Sequence, residues 1–474
     1  MRENNKLLNK LDWATVALYL LLVFIGWISI YSAVYNDEHT SIFDFSQRYG
    51  KQLMWIIAGV LIAAFVLLTD SRFYSVFAYI IYAAIALLLV FVLVAGTEVN
   101  GSRSWFVIGQ IRIQPAELAK VATALAVAKL MSAHGFVLRR HSNLLKIFFI
   151  IGLPVFLIFL QHDTGSALVF SCFLLVLYRE GLSGWLISGL IFVITLFVFS
   201  VLWSPLAVFI FCFFVALLLY AYLQRTISKP LIIAASVFAL YFLAIKFILP
   251  KLAITNFPLE YTFLLICALI ATVGIIYYSI RKKVRNIWYV VLFFAASVAL
   301  SYSVDYVFDH ILKQHQRDRI ENLLGVTEDL KGVGYNVHQS KVAIGSGGFF
   351  GKGFLQGTQT RYNFVPEQST DFIFCTIGEE WGFVGTLAVV LAYLALLFRL
   401  VVISERQKDT FARIYGYSVT SILFFHFSVN IAMTIGLAPV IGIPLPFISY
   451  GGSSLWAFTF LLFILLKMDA TKWQ

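Results

Sequence analysis

Two polar stretches hold most of the side chains that could do chemistry. One runs from Thr327 to Phe372, TEDLKGVGYNVHQSKVAIGSGGFFGKGFLQGTQTRYNFVPEQSTDF. It opens with adjacent acids, Glu328 and Asp329, followed by glycines 332 and 334 and then Lys341. A carboxylate held among cations in a partly dry cleft can take the proton of a sugar hydroxyl as a general base. Glycine lets backbone approach a ligand closely. Either acid suits the task, and a solvated loop acid is the competing reading. The order GxxxxGK[ST] is absent, so this is not a nucleotide-phosphate loop. The other stretch is Asn100 to Lys120, NGSRSWFVIGQIRIQPAELAK. Arg103, Arg112 and Lys120 offer cationic donors, which suit phosphate. Glu117 and Lys120 are three apart and share a helix face, so a structural ion pair is the alternative there.

Smaller signals surround these two. Asp163 in QHDTGSA lies between apolar runs and suits a helix cap or turn. Gly436 to Ser454 carries Pro439, Pro444 and Pro446, which forbid a regular helix. Such backbone is tolerated at membrane depth where protein buries it or it lines a cavity. Asn430, just ahead, is placed to hydrogen-bond it. Glu379 and Glu380 read as structural partners of cations.

The elements that must position these groups are helices in a bilayer. The chain has 474 residues, 61% hydrophobic and 12% charged. That excludes a soluble domain, and long unbroken apolar runs exclude a barrel. All four cysteines (Cys172, Cys212, Cys267, Cys375) fall in apolar runs and read as buried thiols. About fourteen spans are expected, at 12–34, 52–69, 73–95, 115–133, 144–160, 165–179, 184–203, 205–223, 230–249, 260–280, 287–306, 371–399, 412–435 and 447–468. Lys and Arg favour alternate connections, from Arg72 through Arg139 and Arg140 to Arg399, Arg406 and Arg413. By the positive-inside rule both termini are then cytoplasmic and the large loop is extracytoplasmic. The first run is too long for a cleaved signal and reads as a first span. The net charge of +11 reflects those connections and does not call for nucleic acid.

The quoted stretches, with QSKVAIGSGG, FGKGFLQGTQT, FVPEQSTDFIF, GEEWGFVG and PVIGIPLPFISYGGSS, resemble the SEDS family (shape, elongation, division and sporulation proteins), and within it the RodA branch. The resemblance covers the first six spans and everything after about residue 315. It implies an inverting peptidoglycan glycosyltransferase that polymerises glycan strands from lipid II for cell elongation. A lipid II flippase is the alternative. It implies Asp329 as the catalytic acid. It places Trp105, Arg112, Glu117 and Lys120 at the site; their chemistry, with Arg103 and Lys341 as further cations, suits sugar and diphosphate, and Asp163, Glu328, Gln339 and Ser340 are candidate supporting residues. A divalent cation, Mg or Mn, could assist, though no committed metal cage is visible. The implied partners are the growing lipid-linked glycan, a class B penicillin-binding transpeptidase and the elongation machinery, at the bacterial inner membrane. Departures are Asp329-Leu330 where relatives usually carry Asp-Pro, and His162 and Thr164 where they carry QPDLGT. The family core has about ten spans. The expectation is therefore one integral membrane domain, 1–474, with about four extra helices in 182–308 and the large loop at 309–370.

Overall fold

The computed structural model describes residues 10–35, 41–99, 101–109, 111–203, 205–225, 287–306, 310, 317, 334–362 and 364–472. The chain divides into two compact units, one of Met1–Ser183 with Glu328–Gln474 and one of Gly184–Thr327.

In the first unit, α1 (Trp13–Ala33), α2 (Arg48–Leu68) and α3 (Ser71–Ala95) lead into a small antiparallel sheet. Its strands β1 (Thr97–Val99), β2 (Ser102–Ile108) and β3 (Ile111–Ile113) lie in the order β1-β2-β3. Helices α4 (Pro115–Met131), α5 (His141–Leu160), α6 (Thr164–Val169) and α7 (Phe173–Arg179) follow, a 3-10 turn at Phe170–Cys172 joining the last two. In the second unit α8 (Gly184–Leu202), α9 (Pro205–Gln224) and α10 (Ile287–Tyr306) pack on one another through aromatic contacts such as Phe192–Phe211 and Phe209–Phe294. The first unit resumes with α11 (Tyr335–Ser346), α12 (Thr358–Arg361), α13 (Ile373–Glu405), α14 (Thr410–Thr434) and α15 (Gly452–Thr471).

Among the described residues seven helices are long and apolar enough to cross a membrane: α1, α2, α3, α5, α13, α14 and α15. The other described predicted spans are shorter apolar helices or, for α4, a buried one. The predicted spans 230–249 and 260–280 lie outside the described residues.

The helices form for local reasons. Asp12 caps α1 by accepting from Thr15 N at 3.1 Å, satisfying one orphan donor of the first turn. Pro115 opens α4, where a missing N–H costs nothing. Alanines at 116, 119, 122, 124, 126 and 128 then run through α4, and all are buried. Small side chains let α3, α5, α14 and α15 approach it closely. Helix α13 is broken at Gly382, whose φ of 62° and ψ of −156° are not helical. A Cβ there would sit 2.3 Å from Gly351 N, so only glycine fits.

Candidate active site

The charged groups of the Asn100–Lys120 stretch separate into an open set and an enclosed set. Strands β2 and β3 pair with Val107 opposite Arg112. Side chains alternate along a strand, and directly paired residues share a face. Arg103, Trp105 and Val107 therefore line one face of the sheet together with Arg112. Both arginines are exposed and Trp105 is half-buried. On the opposite face Ser104 is buried and Phe106 stacks on Phe91. Arg103 N donates to Gln161 O at 3.1 Å, tying the sheet to the end of α5.

Glu117 and Lys120 are enclosed, with side-chain exposures of 3% and 1%. Lys120 Nζ donates to Glu117 Oε1 at 2.8 Å. It also lies 2.9 Å from His426 Nε2 on α14. An ammonium only donates, so Nε2 is the acceptor. His426 Nδ1 then carries the proton and donates to Pro444 O at 3.1 Å. Phe458 lies beneath the ammonium, its ring centre 5.3 Å from Nζ. Glu117 Oε2 is buried with no hydrogen-bond partner among the described residues.

The proline-rich segment joins these pieces. Tyr393 Oη donates to Pro446 O. Asn430 Nδ2 donates to Ile443 O at 2.7 Å and to Asp371 O at 2.8 Å. Asn430 is one helical turn from His426 on the same face of α14, about 6 Å along the axis. Ile441 O comes so close to Gly165 that a Cβ there would lie 2.1 Å away. Beside it, Asp163 caps α6. It accepts from Ser166 N at 3.0 Å and from Gln114 Nε2 at 2.7 Å.

Asp371 was not singled out by the sequence reading. It lies in the loop ahead of α13, which begins at Ile373. Its carboxylate rests against Gly442, where a Cβ would be 3.5 Å from Oδ2. It makes no side-chain hydrogen bond or ion pair among the described residues. Burial, with the nearby Glu367 carboxylate, raises its pKa to about 7. Arg48 holds the loop in place, donating to Ser369 Oγ at 2.7 Å with Glu367 3.8 Å away. A signal was available: an acid at the mouth of the longest described helix, inside a motif already noted.

Glu328 and Asp329 lie outside the described residues. On α11, Ser340 is buried and donates to Thr434 O at 2.9 Å, a helix-packing contact. Gln339 is half-buried and Lys341 exposed. The Lys341 chain passes over Gly436, where a Cβ would lie 2.3 Å from Cε. Glu379 is fully buried and accepts from Lys352 Nζ at 2.7 Å, Gln359 N at 2.9 Å and Thr360 N at 2.9 Å. Glu380 accepts from Ser32 Oγ and from Leu355 N. Both clamp the 347–362 loop onto α13. Glu379 has the cation partner expected of it, Lys352, whereas the partners of Glu380 are a hydroxyl and a backbone N–H. No group of three or more His, Cys, Asp or Glu side chains suited to a metal occurs among the described residues.

The fold has known counterparts. The sequence profile of the FtsW/RodA/SpoVE family, described as "Cell cycle protein", matches residues 12–215 and 204–474. The chain belongs to that family. It is 31% identical to the peptidoglycan glycosyltransferase RodA of Treponema pallidum over 469 residues, 97% of this chain and 98% of that one. It is 46% identical to the peptidoglycan glycosyltransferase MrdB of Escherichia coli K12 over 145 residues, 31% of this chain and 39% of that one. In structure it is similar to a chain of a peptidoglycan synthase complex studied for coordination of polymerization and crosslinking (TM-score 0.61, 23% identity, 98% and 99% covered). It is also similar to RodA of Thermus thermophilus (TM-score 0.56, 22% identity, 98% of each chain covered). Family membership and apolar helices together make it an integral membrane protein.

Proposed function

We propose that this protein polymerises peptidoglycan glycan strands from lipid II, with Asp371 as the base that activates the acceptor. The observation that carries the choice of base is the Asp371 carboxylate, unpaired against Gly442, with a pKa of about 7. A general base works best with a pKa near the operating pH. The donor is a disaccharide on an isoprenoid diphosphate, and the acceptor is the 4-hydroxyl of another lipid-linked sugar. Asp371 takes the hydroxyl proton as the oxygen attacks the anomeric carbon. The bond to diphosphate breaks with inversion, giving a β-1,4 linkage. Arg103 and Arg112 face outward on one side of the sheet and receive the charge that develops on the diphosphate. Trp105 between them offers a surface for sugar or lipid. Enclosed as it is, Lys120 acts on this site by fixing α4 against α14, not by touching the diphosphate.

The resemblance points to Asp329 as the acid, so two aspartates compete for one role. Single Asn substitutions at 371 and 329, assayed with purified protein and lipid II, decide between them. Loss of polymer only in the Asp371 variant supports this assignment. Loss only in the Asp329 variant overturns it. The reading also takes the chain to sit in the bacterial inner membrane with both termini cytoplasmic. A class B penicillin-binding transpeptidase would be the partner that crosslinks the product. The helices within 182–308 are an addition to the polymerase core, and the site faces outward with the 309–370 loop.

A further inference from the structure

A polar cavity lies at the other end of the first unit, far from Asp371. It has a volume of about 330 Å³ and is lined by Lys10, Asp12, Arg399, Arg406, Asp469 and Lys472, with Trp13 and Ala14 of α1. Helix α13 runs the length between the two places, 33 residues or roughly 50 Å.

The acids of this cavity are spent. Asp12 and Asp469 are each 2% exposed. Asp12 accepts from Thr15, from Arg399 Nη2 at 2.8 Å and from Arg406 Nη2 at 3.0 Å. Asp469 accepts from Arg406 Nε at 2.8 Å, Gln407 Nε2 at 2.9 Å and Lys472 Nζ at 2.9 Å. The cations are only partly spent. Arg399 and Arg406 remain 40% and 32% exposed, and Lys10 is exposed with no ion pair among the described residues. Lys10, Arg399, Arg406 and Lys472 outnumber the two carboxylates, leaving a surplus of two positive charges. The first turn of α1 adds the positive end of a helix dipole.

The cavity mouth carries Trp13, 56% exposed at the start of a span. Tryptophan so placed sits at headgroup level in a bilayer. Basic pockets between span ends on the side favoured by Lys and Arg suit anionic headgroups. We propose that this cavity binds the phosphate of an anionic phospholipid. The phosphate enters between Lys10, Lys472 and the outer edges of Arg399 and Arg406. The lipid's acyl chains lie along the exposed apolar flank beside Trp13.

Lys10 and Lys472 can be removed while the Asp12–Arg399–Arg406–Asp469 network stays whole. The test compares full-length wild type with Lys10→Gln and with Lys10→Gln/Lys472→Gln. The readout is the affinity for phosphatidylglycerol, phosphatidylcholine and inorganic phosphate, by native mass spectrometry and lipid titration. Each lysine near a membrane surface is worth roughly a fivefold change in binding. Phosphatidylglycerol should bind wild type selectively over phosphatidylcholine. It should bind about fivefold more weakly to the single variant and about thirtyfold more weakly to the double variant. Equal binding by wild type and both variants, or no preference for the anionic lipid, overturns the proposal. Inorganic phosphate binding with the same lysine dependence while phosphatidylglycerol does not would overturn the lipid assignment in favour of a soluble phosphate. If the double variant does not fold, the single variant, altered at an exposed side chain, still reads the fivefold step.

Discussion

Replacing Asp371 by Asn should separate catalysis from stability. The amide keeps the shape of the carboxyl but neither ionises nor accepts a proton. Loss of a general base typically costs 10²- to 10⁴-fold in rate, so polymer from lipid II should fall by at least about a hundredfold. Stability should move the other way. Burial raises the Asp371 pKa from the ordinary 3.8 to about 7. The folded protein thus holds this proton more tightly than the unfolded chain does. Its ionisation therefore opposes folding, increasingly as pH rises from about 4 to about 7 and fully above that. The gap is about three pH units at 1.36 kcal/mol each, an upper bound of about 4 kcal/mol at pH 8. Thermal unfolding of purified protein at pH 8 should show the Asn variant melting several degrees higher. At pH 4 the two proteins should melt together. Wild-type polymerisation should itself rise with pH through about 7. An Asn variant that polymerises within tenfold of wild type refutes the base. A stability difference that is absent at pH 8, or equally large at pH 4, refutes the burial argument beneath it.

Three other outcomes are expected. His426→Leu should leave the enclosed Lys120 ammonium without one acceptor and lower stability by about 1–3 kcal/mol, while His426→Gln, which can still accept, should recover part of the loss in a melting assay. Glu379→Ala should strand Lys352 and the 358–360 turn and cost about 3–5 kcal/mol; protease cleavage within 347–362 should accelerate, and an unchanged cleavage rate would count against the clamp. Burial works against ionisation of Asp12, but hydrogen bonds from Arg399 and Thr15 outweigh it and hold the pKa at about 2. Asp12→Asn should therefore lose about 2 kcal/mol at neutral pH, a loss that shrinks as pH falls from about 4 towards 2 in urea unfolding curves.

The helices were legible because apolar runs of span length leave few alternatives. All the predicted spans but 230–249 and 260–280, which lie outside the described residues, overlap described helices, 165–179 as two short helices joined by a 3-10 turn. The sheet at 97–113 is not legible in the sequence, which places Arg103, Trp105 and Arg112 around sugar and diphosphate without assigning them to strands. The Glu117–Lys120 pair was visible from its three-residue spacing. Its link to His426 was not, because 306 positions separate Lys120 and His426 and only packing of α4 on α14 brings them together. Asn430 was expected to bond the proline-rich backbone, and it does. Asp371 escaped for a plain reason. Its position was counted as the first residue of an apolar span. The two-residue offset of α13 returns it to the loop, and its environment comes from Gly442, far along the chain.

The break at Gly382 has a mechanical consequence. It divides α13 into a short N-terminal piece, Ile373 to Trp381, and a long C-terminal rod. Glu379 and Glu380 bolt the short piece to the 347–362 loop, while Arg399 and Arg406 anchor the rod at its far end. Asp371 lies two residues ahead of the short piece, joined to it through Phe372. Its position therefore follows the surface loop more closely than the bilayer-spanning rod, and a load applied to that loop reaches the carboxylate without bending the rod.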